Sequence, residues 1–236
     1  MAYTNSQLVV YKKISPNKTP NRNHKIDTIT IHHMAGNLTV EQCGEVFAPK
    51  SRQASSNYGI DSEGRIGMYV EEKDRSWATY SPANDHRAIT IEVANDNTKT
   101  WTISDKAYKS LVLLCTDICK RNGIKELKWK GDKNLIGKVD QQNMTVHRWF
   151  AATLCPGDYL YNLHSKLAND VNALLEKAVP KKLESGNDIV WELMNGKHKI
   201  KIDDATRAIK ALDKAKNDPN YLSLYWIIYK VVNGNG

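Results

Sequence analysis

The chain has 236 residues, of which 41% are hydrophobic and 25% are charged, and its formal net charge is +8. This composition is typical of a globular protein with one large domain, or with one domain and a small appendage. No apolar run approaches the roughly 20 residues that a membrane-spanning helix needs, and four cysteines are too few for a disulfide scaffold.

The charge and the N-terminus bear on partner and location. A basic surface suits a polyanion, such as nucleic acid, an anionic membrane or an acidic cell wall. No helix-turn-helix, basic region with heptads or paired CxxC motif is present, so nucleic acid is disfavoured. The start, MAYTNSQLVVYKK, lacks the basic residues and long apolar core of a secretion signal, so we expect synthesis as a cytoplasmic chain.

Predicted strands and helices alternate up to about residue 178. β-Branched residues between turn residues predict strands over 24–34, 55–70 (two strands around a turn at 62–64), 86–96 and 144–150. Apolar residues at helical spacing predict helices over 37–48, 104–123 and 158–178. This alternation favours an α/β fold with a central mixed β-sheet flanked by helices.

Three of the predicted strands repeat one small pattern. They read Thr-Ile-His over 30–32, Thr-Ile-Glu over 90–92 and Thr-Val-His over 145–147. Because side chains alternate across a strand, His32, Glu92 and His147 would share one face of a common sheet. The isoleucine and valine side chains would then cover the opposite, apolar face.

The shared polar face predicts a metal site. His32, His147 and Cys155, which follows His147 by eight residues, form a donor set suited to Zn²⁺. Three protein ligands leave a fourth position for water, as in catalytic zinc sites, and Glu92 could take a proton from that water. The alternative, ordinary core histidines and a buried thiol, stays open on spacing alone.

Four separated motifs resemble those of the zinc N-acetylmuramoyl-L-alanine amidases of the peptidoglycan-recognition-protein superfamily. They are TITIHHMAG at 28–36, NYGIDSEGRI at 57–66, AITIEVAND at 88–96 and TVHRWFAATLCPG at 145–157. The resemblance covers roughly residues 20–178, and the motifs occur in the family's order. Within this group the chain looks most like bacteriophage endolysins that act on Gram-positive, clostridial-type hosts.

The resemblance implies an activity and a site. The reaction would be hydrolysis of the amide bond between N-acetylmuramic acid and L-alanine of the peptidoglycan stem peptide. His32, His147 and Cys155 would bind zinc, and Glu92 would be the acid/base carboxylate. A lysin of this kind would wait in the host cytoplasm until a separate pore gives it access to the wall.

Two positions depart from the family's pattern. Thr153 stands where some members have a lysine that stabilises the oxyanion, and Ser56 where some have a tyrosine. Because of both departures, we expect catalysis to depend mainly on Glu92 and the zinc. Thr153 could still donate a weaker hydrogen bond through its hydroxyl, so we include it among the catalytic candidates.

Three further residues are candidate substrate contacts. Trp77 and His86 belong to a predicted loop over 74–87 that is rich in aromatic and hydrogen-bonding groups. Trp77 could stack on a sugar or peptide, and the alternative is a lid over the core. Asn57, beside the second motif, is the third candidate.

The composition changes after the predicted catalytic domain at 1–178. Polar residues with a proline and a glycine predict a linker over 179–188, and 189–236 would form a small helical domain. About 50 residues is marginal for an independent fold, so this domain is expected to lean on the first domain or on a second copy, as a homodimer. Its aromatic residues could bind cell-wall glycan or form a core or dimer face. Its helices are predicted over 188–196, 203–218 and 219–234.

Three functions are compatible with these observations. A zinc amidase acting on bacterial peptidoglycan is favoured. A non-catalytic peptidoglycan-binding protein of the same fold is the alternative, disfavoured by the complete ligand set. A basic nucleic-acid-binding protein with a zinc site is the third, and the sequence offers no element that would read a groove.

Overall fold

A computed structural model describes residues 3–176 and the backbone of residues 190–192 and 199–201. The chain forms two compact units, Met1–Val179 and Pro180–Gly236. The first unit contains a mixed sheet flanked by helices, as the sequence predicts. None of the helices in the described part combines the length and apolarity that a membrane crossing requires.

The described part of the first unit is built from short strands and four α-helices. The strands are β1 Tyr11–Lys12, β2 Lys18–Thr19, β3 Thr28–His33, β4 Tyr58–Ile60, β5 Ile66–Met68, β6 Arg75–Ser76, β7 Ala88–Val93 and β8 Met144–Val146. The helices are α1 Val40–Phe47, α2 Pro82–Arg87, α3 Asp105–Asn122 and α4 Gly157–Glu176.

One six-stranded sheet carries the fold. Its strand order is β1-β5-β4-β7-β3-β8, and a separate small sheet pairs β2 with β6. Strands β4, β7, β3 and β8 are parallel, whereas β5 is antiparallel to β4. Because parallel strands end at the same edge, the carboxyl ends of β7, β3 and β8 lie side by side.

A row of buried threonines crosses these three strands. Thr30 is the register partner of both Thr90 and Thr145. The hydroxyls of Thr30 and Thr145 are 2.7 Å apart, and the amide of Asn84 bonds to both, at 3.1 and 3.0 Å. This network fixes the alignment of the strands, because a slip of one residue would replace each hydroxyl with an isoleucine, valine or methionine side chain.

The opposite face of the sheet is apolar, as the strand alternation predicts. Ile29, Ile31, Ile89 and Ile91 are fully buried. Helix α3 begins after the capping hydroxyl of Ser104 and ends at a left-handed Gly123, as predicted. Helices α3 and α4 pack against each other.

Two predicted strands are shorter in the structure. The strand predicted over 86–96 begins only at Ala88, because Ser81 caps a short helix that starts at Pro82. The strand predicted over 144–150 ends at Val146 and continues as a 3-10 turn. His147 is therefore the first residue after the strand rather than part of it.

The second unit is described only over two strands. The helix predicted over 188–196 is wrong there, because Val190–Glu192 (β9) pairs antiparallel with Lys199–Lys201 (β10). Val190 and Trp191 in the first segment and Ile200 in the second are residue types that suit a strand. The linker predicted over 179–188 and the helices predicted over 203–218 and 219–234 lie outside the described residues.

Candidate metal centre

The ends of three neighbouring strands bring the site together. His32 lies near the end of β3, and its register partner on β7 is Glu92. Ile31 pairs with Val146 on β8, so the next residue, His147, follows on the other side of His32. Strand alternation thus accounts for His32 and Glu92, and the pairing of β8 with β3 places His147 beside them.

His32, His147 and Cys155 converge on one point. Their candidate ligand atoms all lie within 4.8 Å of one another. The Cys155 Sγ is 3.5 Å from the His32 Nδ1, and the two imidazole centroids are 5.0 Å apart.

This arrangement fits a tetrahedral zinc site. Zn–N bonds of about 2.0–2.1 Å and a Zn–S bond of about 2.3 Å at the tetrahedral angle separate nitrogen and sulfur by about 3.6 Å. The observed separation between His32 Nδ1 and Cys155 Sγ is 3.5 Å. The buried Nε2 of His147 has no hydrogen-bond partner. Such donor atoms without partners are expected where a metal ion binds.

Burial keeps the three groups neutral in the protein alone. It lowers the pKa of His32 and of His147, because an imidazolium would lose its hydration, and the neighbouring His147 lowers the pKa of His32 further. Burial likewise raises the pKa of the Cys155 thiol. A bound cation would supply the positive charge that stabilises the thiolate.

Glu92 faces the same point from β7. Its Oε1 is 3.9 Å from the His32 Nδ1, and its side chain keeps 16% exposure, so solvent reaches the carboxylate. Burial raises the pKa of Glu92 to about 8, and Arg52 on the groove rim partly offsets this effect. A carboxyl with such a pKa exchanges its proton near neutral pH, which suits acid–base chemistry.

A tight loop holds Cys155 beside the strand ends. The Arg148 N–H donates to the Cys155 carbonyl at 3.1 Å, and the Cys155 N–H donates to the Thr153 hydroxyl at 3.2 Å. Gly157 follows with φ +78°, and a Cβ there would lie 2.8 Å from a ring carbon of Trp101. Glycine is therefore required at the point where the loop enters α4.

These groups open into a groove of about 450 Å³. Apolar side chains of α1 and the turn before it line one part, and the loop between β6 and α2 lines another. The lining includes Leu38, Val46, Phe47, Trp77, Tyr80 and Thr153.

The sequence profile of the N-acetylmuramoyl-L-alanine amidase family matches residues 22–158. The chain belongs to this family. The matched segment contains His32, Glu92, His147 and Cys155. The family acts on peptidoglycan, and its activity is hydrolysis of the N-acetylmuramoyl-L-alanine amide.

Solved structures similar to this amidase show the same fold. A selenomethionine derivative of AmpD has a TM-score of 0.53 and 16% identity, over 71% of this chain and 99% of that chain. A mutant endolysin from Bacillus subtilis has a TM-score of 0.50 and 15% identity, over 68% of this chain and 97% of that chain. No curated protein sequence matches the amidase significantly.

Besides Glu92, two of the proposed catalytic and substrate residues lie in the groove of the amidase. Trp77 and Thr153 both line it. The Trp77 Nε1 donates to the Thr19 hydroxyl at 2.9 Å, so the indole is held at the groove wall. Thr153 accepts the Cys155 N–H, so its hydroxyl also shapes the loop that carries this cysteine.

The structure places the other two proposed substrate residues outside the groove lining. Asn57 is fully buried, and its side chain bonds to Arg22 and to Thr90. This placement suits a structural role between β4 and β7. His86 lies on α2, and its Nδ1 accepts the Asn23 N–H at 3.2 Å. The sequence singles out Asn57 and His86 because they are polar and lie near a motif, and neither property indicates the direction of a side chain.

Sequence reasoning missed two aromatic residues at the site. Tyr80 lines the groove, and its ring stacks on His147 with centroids 6.0 Å apart. Trp101 packs on His33 at 4.6 Å and against Gly157. Both have a positive φ, +62° and +47°, and nothing in the local sequence predicts that conformation for an aromatic residue.

Proposed function

We propose that this protein is a zinc-dependent endolysin that cleaves the amide between N-acetylmuramic acid and L-alanine. The observation that carries the proposal is the convergence of His32, His147 and Cys155 beside Glu92, inside a domain of the amidase family. The unpartnered Nε2 of His147 and the 3.5 Å separation between His32 Nδ1 and Cys155 Sγ support zinc in particular.

His32, His147 and Cys155 would hold the ion. When bound, zinc polarises a carbonyl oxygen and lowers the pKa of a water molecule. The sheet and the loop of Cys155 fix the three donors before the metal arrives, so little reorganisation is needed on binding.

Glu92 would move the proton. It accepts a proton from the attacking water, whose oxygen bonds to the carbonyl carbon, and it returns the proton to the L-alanine nitrogen as the carbon–nitrogen bond breaks. The carboxylate suits this role because it lies 3.9 Å from a proposed ligand and still contacts solvent. Thr153 lines the same groove and would donate a weak hydrogen bond to the oxyanion.

The lytic role rests on charge as well as on chemistry. A formal net charge of +8 favours association with an anionic bacterial wall. We include in the proposal a phage origin, a clostridial-type host, and a C-terminal unit at 189–236 that binds the wall or a second copy. Sedimentation of the protein with cell walls from clostridial and Bacillus hosts tests the host. Sedimentation of a Tyr225→Ala, Trp226→Ala variant, compared with the wild-type chain, tests whether the C-terminal unit binds the wall.

The competing function is a non-catalytic peptidoglycan-binding protein of the same fold. Incubation with purified cell walls separates the two. New L-alanine amino termini without new reducing sugar ends are expected for the amidase. Wall binding without either product would support the competing function, and reducing ends alone would indicate a glycosidase.

Metal analysis tests the zinc site directly. Cys155→Ser should lower the bound zinc from about one equivalent to a small fraction, because a hydroxyl is a poor zinc ligand. Cys119→Ala is the matched control, since this buried cysteine belongs to α3 rather than to the site. Equal zinc content in Cys155→Ser and wild type would remove Cys155 from the ligand set.

A further inference from the structure

Tyr80 is the most exposed of the large hydrophobic side chains in the described part of the chain, at 84%. It belongs to the loop between β6 and α2 and lines the groove of the metal centre. Its ring lies nearly parallel to the imidazole of His147, at an angle of 25°. The phenol ring thus lies beside a proposed zinc ligand, and most of the side chain is exposed to solvent.

The backbone of Tyr80 is in an unfavourable conformation. Its φ of +62° lies in the left-handed region, which is strained for a tyrosine. Glycine would adopt this conformation without the penalty. The hydroxyl of Tyr80 has no hydrogen-bond partner among the described residues, so no internal contact of that group explains a tyrosine here.

The flanking residues hold Tyr80 in place. Asp85, which is 1% exposed, accepts the N–H groups of Ala78 and Thr79 and the hydroxyl of Thr79. On the other side, Ser81 caps α2. A strained residue persists where its surroundings determine it in this way, and such residues cluster at functional sites.

The sheet order defines the part of the groove that Tyr80 forms. His147 follows β8 at the edge of the sheet, and Tyr80 lies on His147. Helix α1 packs instead over β1, β5 and β4, on the other side of β7 and β3. The proposed ligand His32 and the proposed base Glu92 therefore lie between two walls of the groove. One wall is the flat ring of Tyr80, and the other is formed by the apolar side chains of α1.

These two walls differ in the chemistry they accept. The amide that Glu92 would cleave joins a sugar to a peptide. A flat, exposed aromatic face matches the apolar face of a pyranose ring, and aromatic side chains bury large areas at such contacts. The wall built on α1, with Arg52 on its rim, suits small apolar side chains and the carboxylates of a peptide.

We propose that Tyr80 is a substrate-contact residue whose ring stacks on the sugar next to the scissile amide. This inference rests on the proposed function, because the substrate is the muramyl peptide. The positive φ of Tyr80 would then be explained by a need for an aromatic side chain beside His147, next to the sugar.

Two substrates with the same scissile amide test the assignment. One is muramyl-L-alanyl-D-isoglutamine, which carries the sugar, and the other is D-lactoyl-L-alanyl-D-isoglutamine, which lacks it. Tyr80→Gly should raise KM for the first about tenfold, equivalent to about 1.4 kcal/mol, and change KM for the second less than twofold. Tyr80→Phe keeps the aromatic face and should restore the wild-type KM.

The controls separate contact from structure. Tyr80→Gly should have a Tm equal to or above that of wild type, because the strain is relieved. Tyr159→Ala, which removes a tyrosine of 39% exposure outside the groove lining, should change neither KM. An equal change for both substrates, or none, would overturn the assignment.

Failure of the proposed function gives a different result. Wild-type protein that cleaves neither substrate would contradict the amidase proposal. Calorimetric binding of muramyl-L-alanyl-D-isoglutamine to wild type and to Tyr80→Gly then decides the role of Tyr80. Weaker binding by the variant supports the contact, and equal or absent binding in both proteins contradicts it.

Discussion

His32 and Glu92 are register partners on adjacent parallel strands, and their Nδ1 and Oε1 atoms lie 3.9 Å apart. The sheet itself therefore sets the distance between the proposed metal ligand and the proposed base. A substitution that keeps the shape of Glu92 should change the chemistry and leave the metal ligands in place.

Glu92→Gln should lower wall hydrolysis by about 10²–10⁴-fold, the usual contribution of a general base or acid. The amide is nearly isosteric but does not accept the proton, so zinc content should stay at the wild-type value. Release of L-alanine amino termini and metal analysis measure the two quantities. Glu63→Gln, an exposed residue paired with Lys106, is the control and should retain activity. Wild-type activity in Glu92→Gln would exclude Glu92 as the base.

Gly157→Ala should weaken both the fold and zinc binding. The residue has φ +78°, and the new Cβ would lie 2.8 Å from Trp101, so a destabilisation of roughly 2–4 kcal/mol is expected. Gly123→Ala is matched, because its φ is +69° but no atom lies within 4 Å. In that control, backbone strain should lower the free energy of unfolding by only about 1–2 kcal/mol, and the zinc affinity should stay at the wild-type value. Urea unfolding and chelator competition measure these effects, and equal losses in the two variants would argue against the contact with Trp101.

Thr153→Val should reduce zinc affinity and activity together, each about fivefold. The variant keeps the shape of the side chain but loses the hydroxyl that accepts the Cys155 N–H, a bond worth about 1 kcal/mol. Thr153→Ser retains the acceptor and should behave like wild type. Lower activity with unchanged zinc affinity would contradict the role of Thr153 in holding Cys155 and leave only its proposed hydrogen bond to the oxyanion.

His164→Phe should make the protein less sensitive to acid. His164 is fully buried against Trp129, and burial lowers its pKa to about 4. Because the unfolded chain takes up the proton near pH 6.5, the stability present above that pH is lost as the pH falls from 6.5 toward 4. Between pH 7.5 and 5.0 the variant should lose about 2 kcal/mol less free energy of unfolding than wild type. Parallel stability–pH curves from urea titrations would show that His164 has no such effect.

The polar face of the sheet could be predicted because strand alternation is a local property. Thr-Ile-His and Thr-Ile-Glu place His32 and Glu92 on one side wherever the strands pair in register, and the structure has that register. The sequence did not predict that β8 ends at Val146, yet His147 still lies beside His32.

The walls of the groove could not be predicted in the same way. Asn57 points inward because Arg22, from a distant segment, meets its side chain. Tyr80 points outward because Asp85 holds the preceding loop, and its positive φ has no local sequence signal. The first orientation depends on a contact between distant segments and the second on an irregular loop conformation, and strand or helix periodicity encodes neither.

The threonine row beneath the metal centre has a consequence for assembly. His32 and His147 come from segments near opposite ends of the domain, and they face each other only when Thr30 pairs with Thr145. A nascent chain released before β8 has been synthesised would lack half of the imidazole ligands. Tight zinc capture should therefore be among the last events of folding, and it would report that the strands have aligned.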